Sequence, residues 1–189
     1  GAITLTTSGT VTISNTFGSA SLSSGTGTTA INGASITTTG AQTYNGAVTV
    51  GSNSVLTGSS ITTSSTVGAG SNNLTFVSDA LTLGGNVTGT GTLTIKPKTV
   101  STTIGLGSSA GNTLNLSDTQ LGYINSGGFS SIVVGDSSSG TGAIAYNTAS
   151  NLVFGSALTL QSKSGSGGGS ITVSSALNTG SKNLTISSS

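Results

Sequence analysis

An apolar-x-apolar triplet that returns about every nineteen residues constrains this chain more than any other feature. Leu74-Thr75-Phe76 is followed by Leu93-Thr94-Ile95, Leu114-Asn115-Leu116, Ile132-Val133-Val134, Leu152-Val153-Phe154 and Ile171-Thr172-Val173. Backward, the same step lands on Val55, Ile36 and Phe17. From Phe17 onward the intervals are 19, 19, 19, 19, 21, 18, 20 and 19. Chance does not produce such a series, so the chain is built from one repeated unit.

Each unit carries two further apolar slots. Ile61, Leu81, Val100, Leu121, Leu158 and Leu177 follow the triplet by about six or seven residues. Val48, Val67, Val87, Ile104, Ile144 and Leu184 form a third series, about twelve residues on. Three short strands joined by Gly, Ser and Asn turns make one lap of a parallel β-solenoid. Backbone hydrogen bonds then run between laps, and alternate side chains stack inward on the lap below. The spacing predicts an all-β fold, a single β-solenoid segment over 1–189. It would have about ten coils of roughly 19 residues, three short strands per coil, in a rod about 48 Å long.

Composition decides between this and disorder. Ser and Thr fill 72 positions and Gly another 31 of 189, while only 4% of residues are charged. Polar chains that fail to fold are usually rich in charge and proline. This one has a single proline, Pro97, and is rich in the Thr, Val and Ile that favour strands. Gly and Asn pairs such as Asn32-Gly33, Asn45-Gly46 and Gly84-Gly85 mark corners, read here as places that need positive φ. Ile3, Leu5, Val11 and Ile13 near one end, and Leu184 and Ile186 near the other, read as core without a charged or helical cap. That pattern, with no initiator Met, predicts a piece of a longer chain, or copies stacked end to end.

One stretch departs from the pattern. Leu116, Leu121 and Ile124 have helical spacing before the strand-like Ile132-Val133-Val134. The spacing predicts an ordinary lap of eighteen residues; the alternative is a helical turn across 117–124 capped by Ser117-Asp118.

Several function classes are disfavoured. The net charge is +1, with no Arg, no basic patch and few aromatics, so nucleic acid is not an expected partner. No apolar run approaches a membrane span, and no secretory signal is visible. The absence of Cys excludes disulfide staples and suits export in an unfolded state.

The candidates for chemistry are the few charges. Asp79, Lys98, Asp118 and Asp136 occupy similar places in successive units and would form one vertical column. Adjacent Asp118 and Asp136 could share a proton, as the paired acids of a polysaccharide-cleaving enzyme do, or bind a cation. The plainer reading, preferred here, is a surface charge ladder neutralised by Lys98. Tyr44, Tyr123 and Tyr146 are too scattered to form a sugar-stacking platform, and His is absent. Lys163 and Lys182 would share a second column, either two solvated lysines or a contact for an acidic surface. The run 165–169 lacks the Gly-Lys-Ser/Thr ending of a phosphate loop and reads as a flexible corner. Sequons at Asn73, Asn86, Asn115 and Asn183 are expected by chance in so Ser/Thr-rich a chain. An ice-binding face needs Thr-x-Thr in the same slot of every lap. The flanking residues read Asn73/Thr75, Thr92/Thr94, Thr113/Asn115, Ser131/Val133 and Asn151/Val153, which is irregular. No catalytic, cofactor-binding or metal-binding residue is assigned, no cofactor is expected, and the chain is not read as an enzyme.

The segment Leu116-Ser-Asp-x-Gln-Leu121-x-x-Ile124, followed by Phe129-x-Ser-Ile132-x-Val134-Gly135, resembles a repeat of filamentous-haemagglutinin-type exoproteins. An acidic residue often stands in that repeat where this chain has Gln120. These are large repetitive bacterial surface or secreted proteins, many exported by two-partner secretion; the amino-terminal secretion domain of the family is not visible here. The resemblance implies a right-handed parallel β-helix serving as an adhesin shaft, in adhesion, biofilm matrix or surface fibres. It also implies an extracellular or outer-surface location, and cell-surface or matrix glycans as partners besides the chain's own continuation. Ice binding and polysaccharide cleavage are the alternatives.

Overall fold

The computed structural model describes residues 1–188. It is a parallel β-solenoid. In its lower half each lap contributes one short strand to each of three sheets. The first sheet stacks Ala2–Thr4, Ser21–Ser24, Gln42–Tyr44, Ser60–Thr63 and Ala80–Leu83. The second stacks Val11–Ile13, Thr29–Ile31, Val48–Val50, Val67–Gly68 and Val87–Thr88. The third, the long sheet, starts with Phe17–Ser19, Ser35–Thr38, Ser54–Thr57, Leu74–Val77 and Thr92–Lys96. It continues through Ser131–Gly135, Ala157–Gln161 and Leu184–Ser187. A fourth sheet, in the upper half, runs Leu114–Leu116, Ile104–Leu106, Ile144–Tyr146 and Ile171–Val173.

The alternation in the sequence is what fills the interior. In Leu74–Val77, Leu74 and Phe76 are buried while Thr75 and Val77 are only half-covered. Leu74 pairs with Leu93 one lap up, and Phe76 pairs with Ile95, so like side chains stack on like. Each buried aliphatic of this kind contributes about 1.5–3 kcal/mol.

The period predicted from sequence holds as far as residue 96 and then breaks. Phe17 stacks under Ile36, and Ile36 under Leu56. The inward residue of that lap is Leu56; Val55 points outward and is 38% exposed. Leu93 stacks under Ile132, a step of 39 residues, and Ile132 under Leu158, a step of 26. Leu74 and Leu93 therefore share an interior stack, but Leu114 leaves it and pairs with Ile104 in the fourth sheet. Likewise Ile171 pairs with Ile144 rather than continuing the long sheet. The long sheet counts eight strands where about ten coils were expected, because one lap takes two repeat lengths and the last two are also long. Pro97 directly follows the strand Thr92–Lys96, and a residue without an N–H cannot extend a ladder.

The long lap holds the helix Asp118–Asn125. The ordinary lap preferred from sequence is thus replaced by the capped alternative. The Ser117 hydroxyl accepts from Gln120 N at 3.3 Å, and the Gln120 side chain accepts from Ser117 N at 3.0 Å. This reciprocal cap satisfies two donors that a helix start otherwise leaves open. Leu121 and Ile124 are buried, and Gln120 Nε2 donates to the carbonyl of Leu81 in the topmost strand of the first sheet.

Two corner glycines have a reason other than the one expected. Neither Gly33 nor Gly46 has positive φ. A Cβ on Gly46 would instead run into the carbonyl of Gly27 one lap below, and one on Gly33 into the backbone of Asn15. Corners stack so closely that only hydrogen fits.

Candidate functional site

The charges were the sequence's candidates for chemistry, and the structure engages all three carboxylates as clasps on backbone turns. Asp79 accepts from Thr99 N (2.8 Å), Thr99 Oγ1 (2.7 Å) and Thr102 Oγ1 (2.9 Å). Asp136 accepts from Ser138 N (2.9 Å), Ser139 N (3.4 Å), Ser139 Oγ (3.0 Å) and Lys96 Nζ (3.3 Å). Asp118 accepts from Ser108 N (2.6 Å), Ala149 N (2.9 Å), Ser150 N (3.1 Å) and Ser150 Oγ (3.0 Å). One carboxylate at the helix start thereby ties the loop after Ile104–Leu106 to the corner of the next lap.

The predicted column survives in part. Asp79, Lys98 and Asp136 all follow strands of the long sheet and line its corner. Asp118 follows a strand of the fourth sheet, stands at another corner, and shares no hydrogen-bond partner with Asp136. Lys98 does not neutralise that ladder. Its Nζ donates to the carbonyls of Thr38 (3.2 Å) and Thr39 (3.0 Å), three laps down by the long-sheet register. Lys96 is the cation paired with Asp136, at 3.3 Å. Lys96 had no place in the expected column; pairing of Thr92–Lys96 with Ser131–Gly135 across the long lap is what brings it beside Asp136.

These bonds set the electrostatics. Partial burial pushes Asp79 up, but the hydrogen bonds from Thr99 and Thr102 outweigh it and hold the carboxyl below the ordinary value. Asp118 is held low first by the Ser108 N–H, with further help from Ser150 and Ala149. Burial raises Asp136, and the Ser138 and Ser139 bonds with the Lys96 charge more than reverse it. No carboxyl here is poised as a proton donor near neutral pH, which a glycosidase acid needs. Among the described residues no group of three or more His, Cys, Asp or Glu converges on a metal-sized site.

The other candidates separate as well. Tyr44 and Tyr146 are fully buried, so neither offers a ring to a sugar. Tyr44 Oη donates to Gln42 Oε1 at 2.9 Å. Gln42 Nε2 in turn donates to Ile36 O (3.1 Å) and Thr57 O (2.7 Å). Burial raises the Tyr44 pKa well above its ordinary value. Lys163 follows a long-sheet strand while Lys182 precedes one, so the two do not share a column. The 165–169 run is a corner in which Gly165 and Gly167 adopt positive φ, and Ser162 Oγ donates to Gly169 O at 2.7 Å. Of the sequon residues, Asn73 Oδ1 accepts from Thr92 N, Asn86 Oδ1 from Ser126 Oγ, and Asn115 Oδ1 is buried.

The true register also revises the outward face of the long sheet. The pairs flanking its inner column read Asn73/Thr75, Thr92/Thr94, Ser131/Val133, Ala157/Thr159 and Asn183/Thr185. From Val55 upward the second member is β-branched, with Ser35 in the lap below it; the first varies among Asn, Thr, Ser and Ala. One ordered column is present, without the second that a two-dimensional hydroxyl lattice needs. Among the described residues no helix is long and apolar enough to cross a membrane.

No family model matches the chain, and neither a curated protein nor a solved structure matches it.

Proposed function

We propose that this chain is a rod segment of a bacterial extracellular or surface fibre protein of the filamentous-haemagglutinin type, serving adhesion, biofilm matrix or filament formation. The observation that carries the reading is the use made of polar chemistry. The three carboxylates clasp turns in or beside the irregular laps, and two of the three tyrosines lie inside the core. What the described residues present is a stack of parallel strands whose carboxylates are engaged in holding turns. Its partners on this reading are surface or matrix glycans met along the shaft. The test is negative-stain imaging of the source material with an antibody against this segment. Label spaced along filaments is the expected result; label on compact particles would overturn the reading. The enzyme alternative is checked on a panel of polysaccharides. The expected result is no cleavage; cleavage abolished by Asp118→Asn or Asp136→Asn would replace the shaft with a catalyst.

A further inference from the structure

We infer that the outward face of the long sheet is a lateral packing surface for a second copy of this solenoid. The first observation is where apolar residues point outward. In the first sheet the outward positions hold Ala, Ser and Thr, and in the second they hold Thr, Ala and Gly. In the fourth they hold Asn, Gly, Ala and Thr. Among the described strands, outward valines occur only in the long sheet, at Val55, Val77 and Val133. Strand propensity alone would scatter them over every sheet.

The second observation is continuity. Val55, Thr75, Thr94, Val133, Thr159 and Thr185 form one ladder of paired neighbours, although the laps between them span 20, 19, 39, 26 and 26 residues. Val and Thr have nearly the same shape, so these six laps are sterically even, and the smaller Ser35 follows below Val55. The third is charge. The one charged side chain on this outward face, Lys96, is paired with Asp136, which leaves the face neutral.

These features choose the occupant. A neutral ladder of β-branched side chains lacks the aromatic rings and clustered amides that hold sugars. Its step is the rise of one lap, about 4.8 Å. Another copy has the same step by construction, so its ladder meshes lap by lap, as paired sheets do in a dry zipper. Eight laps and strands about four residues wide give a face of about 34 by 13 Å. About 900 Å² would be covered in total, which is in the weak, transient class for one segment. Lateral contact of this kind gains strength by repetition along a longer shaft. The inference deepens the rod reading, on which its setting rests; its failure would leave a solitary rod.

The chain has no cysteine, so single introduced cysteines report contacts directly. Sedimentation velocity from micromolar to millimolar protein should show reversible dimers. Val133→Lys and Thr159→Lys should weaken them at least tenfold, while Thr62→Lys on the first sheet should not. Under mild oxidation Thr94→Cys should form disulfide dimers much faster than Thr62→Cys. Circular dichroism of each variant confirms that the fold persists. A monomer at every concentration overturns the inference, as does equal crosslinking from both cysteines. Dimers lost in Ile186→Lys but kept in Val133→Lys would place the contact at the rod's end and also overturn it.

Discussion

Gly46 and Gly122 are the same residue type under opposite constraints. At Gly46 a methyl group would meet the carbonyl of the lap below. Gly46→Ala should therefore destabilise by about 1–3 kcal/mol, read from the urea midpoint. Gly122 lies in the helix with nothing near its absent Cβ, and Gly122→Ala should stabilise by about 0.5–1 kcal/mol. The carboxylates make a second residue-scale prediction. Asp79, Asp118 and Asp136 all ionise more readily folded than unfolded. Their stabilisation is then complete above the unfolded value of about 3.9 and is lost as pH falls through the lower folded values. The urea midpoint should be level from pH 7 to 5 and fall below about 4. Asp118→Asn should lower the midpoint at pH 7 and flatten that fall. Their identity as charged outliers was plain in the sequence. Their partners were not, because Asp118 binds residues 31 and 32 positions away across a lap of unforeseen length.

At the scale of elements, the helix and the buried polar pair show how local chemistry sets the irregular parts. Ser117→Ala removes the cap and should cost about 0.5–2 kcal/mol, with a loss of helical circular dichroism at 222 nm as the local signature. The capping residues were legible, yet they carried too little weight against eighteen residues that also fit one more lap. Gln42 is a polar residue where Leu22 and Ile61 stand in the neighbouring laps. Its amide joins the Tyr44 hydroxyl to two carbonyls inside the core. Gln42→Leu should cost about 1–3 kcal/mol by leaving that hydroxyl without its acceptor, seen in the same urea titration. Nothing in the alternation marked Gln42 as inward except its place in the period.

For the whole molecule, stability lies in the continuous interior stack of the long sheet. Leu93 bridges the regular laps below and the long lap above, pairing with Leu74 and Ile132. Leu93→Ala should cost about 2–5 kcal/mol in a chemical denaturation series, more than the same change at half-buried Leu177. Parallel rungs, their three-sided lap and the inward triplets up to residue 96, apart from the lap where Leu56 and not Val55 faces in, were determined by the sequence alone. Alternating aliphatics spaced at a fixed period can be buried together in few other ways. Beyond Pro97 the tertiary structure decided. A Leu-x-Leu triplet reads the same whichever sheet it joins, and only the space left above the first sheet sent Leu114 to pair with Ile104 while Ile132 closed over Leu93.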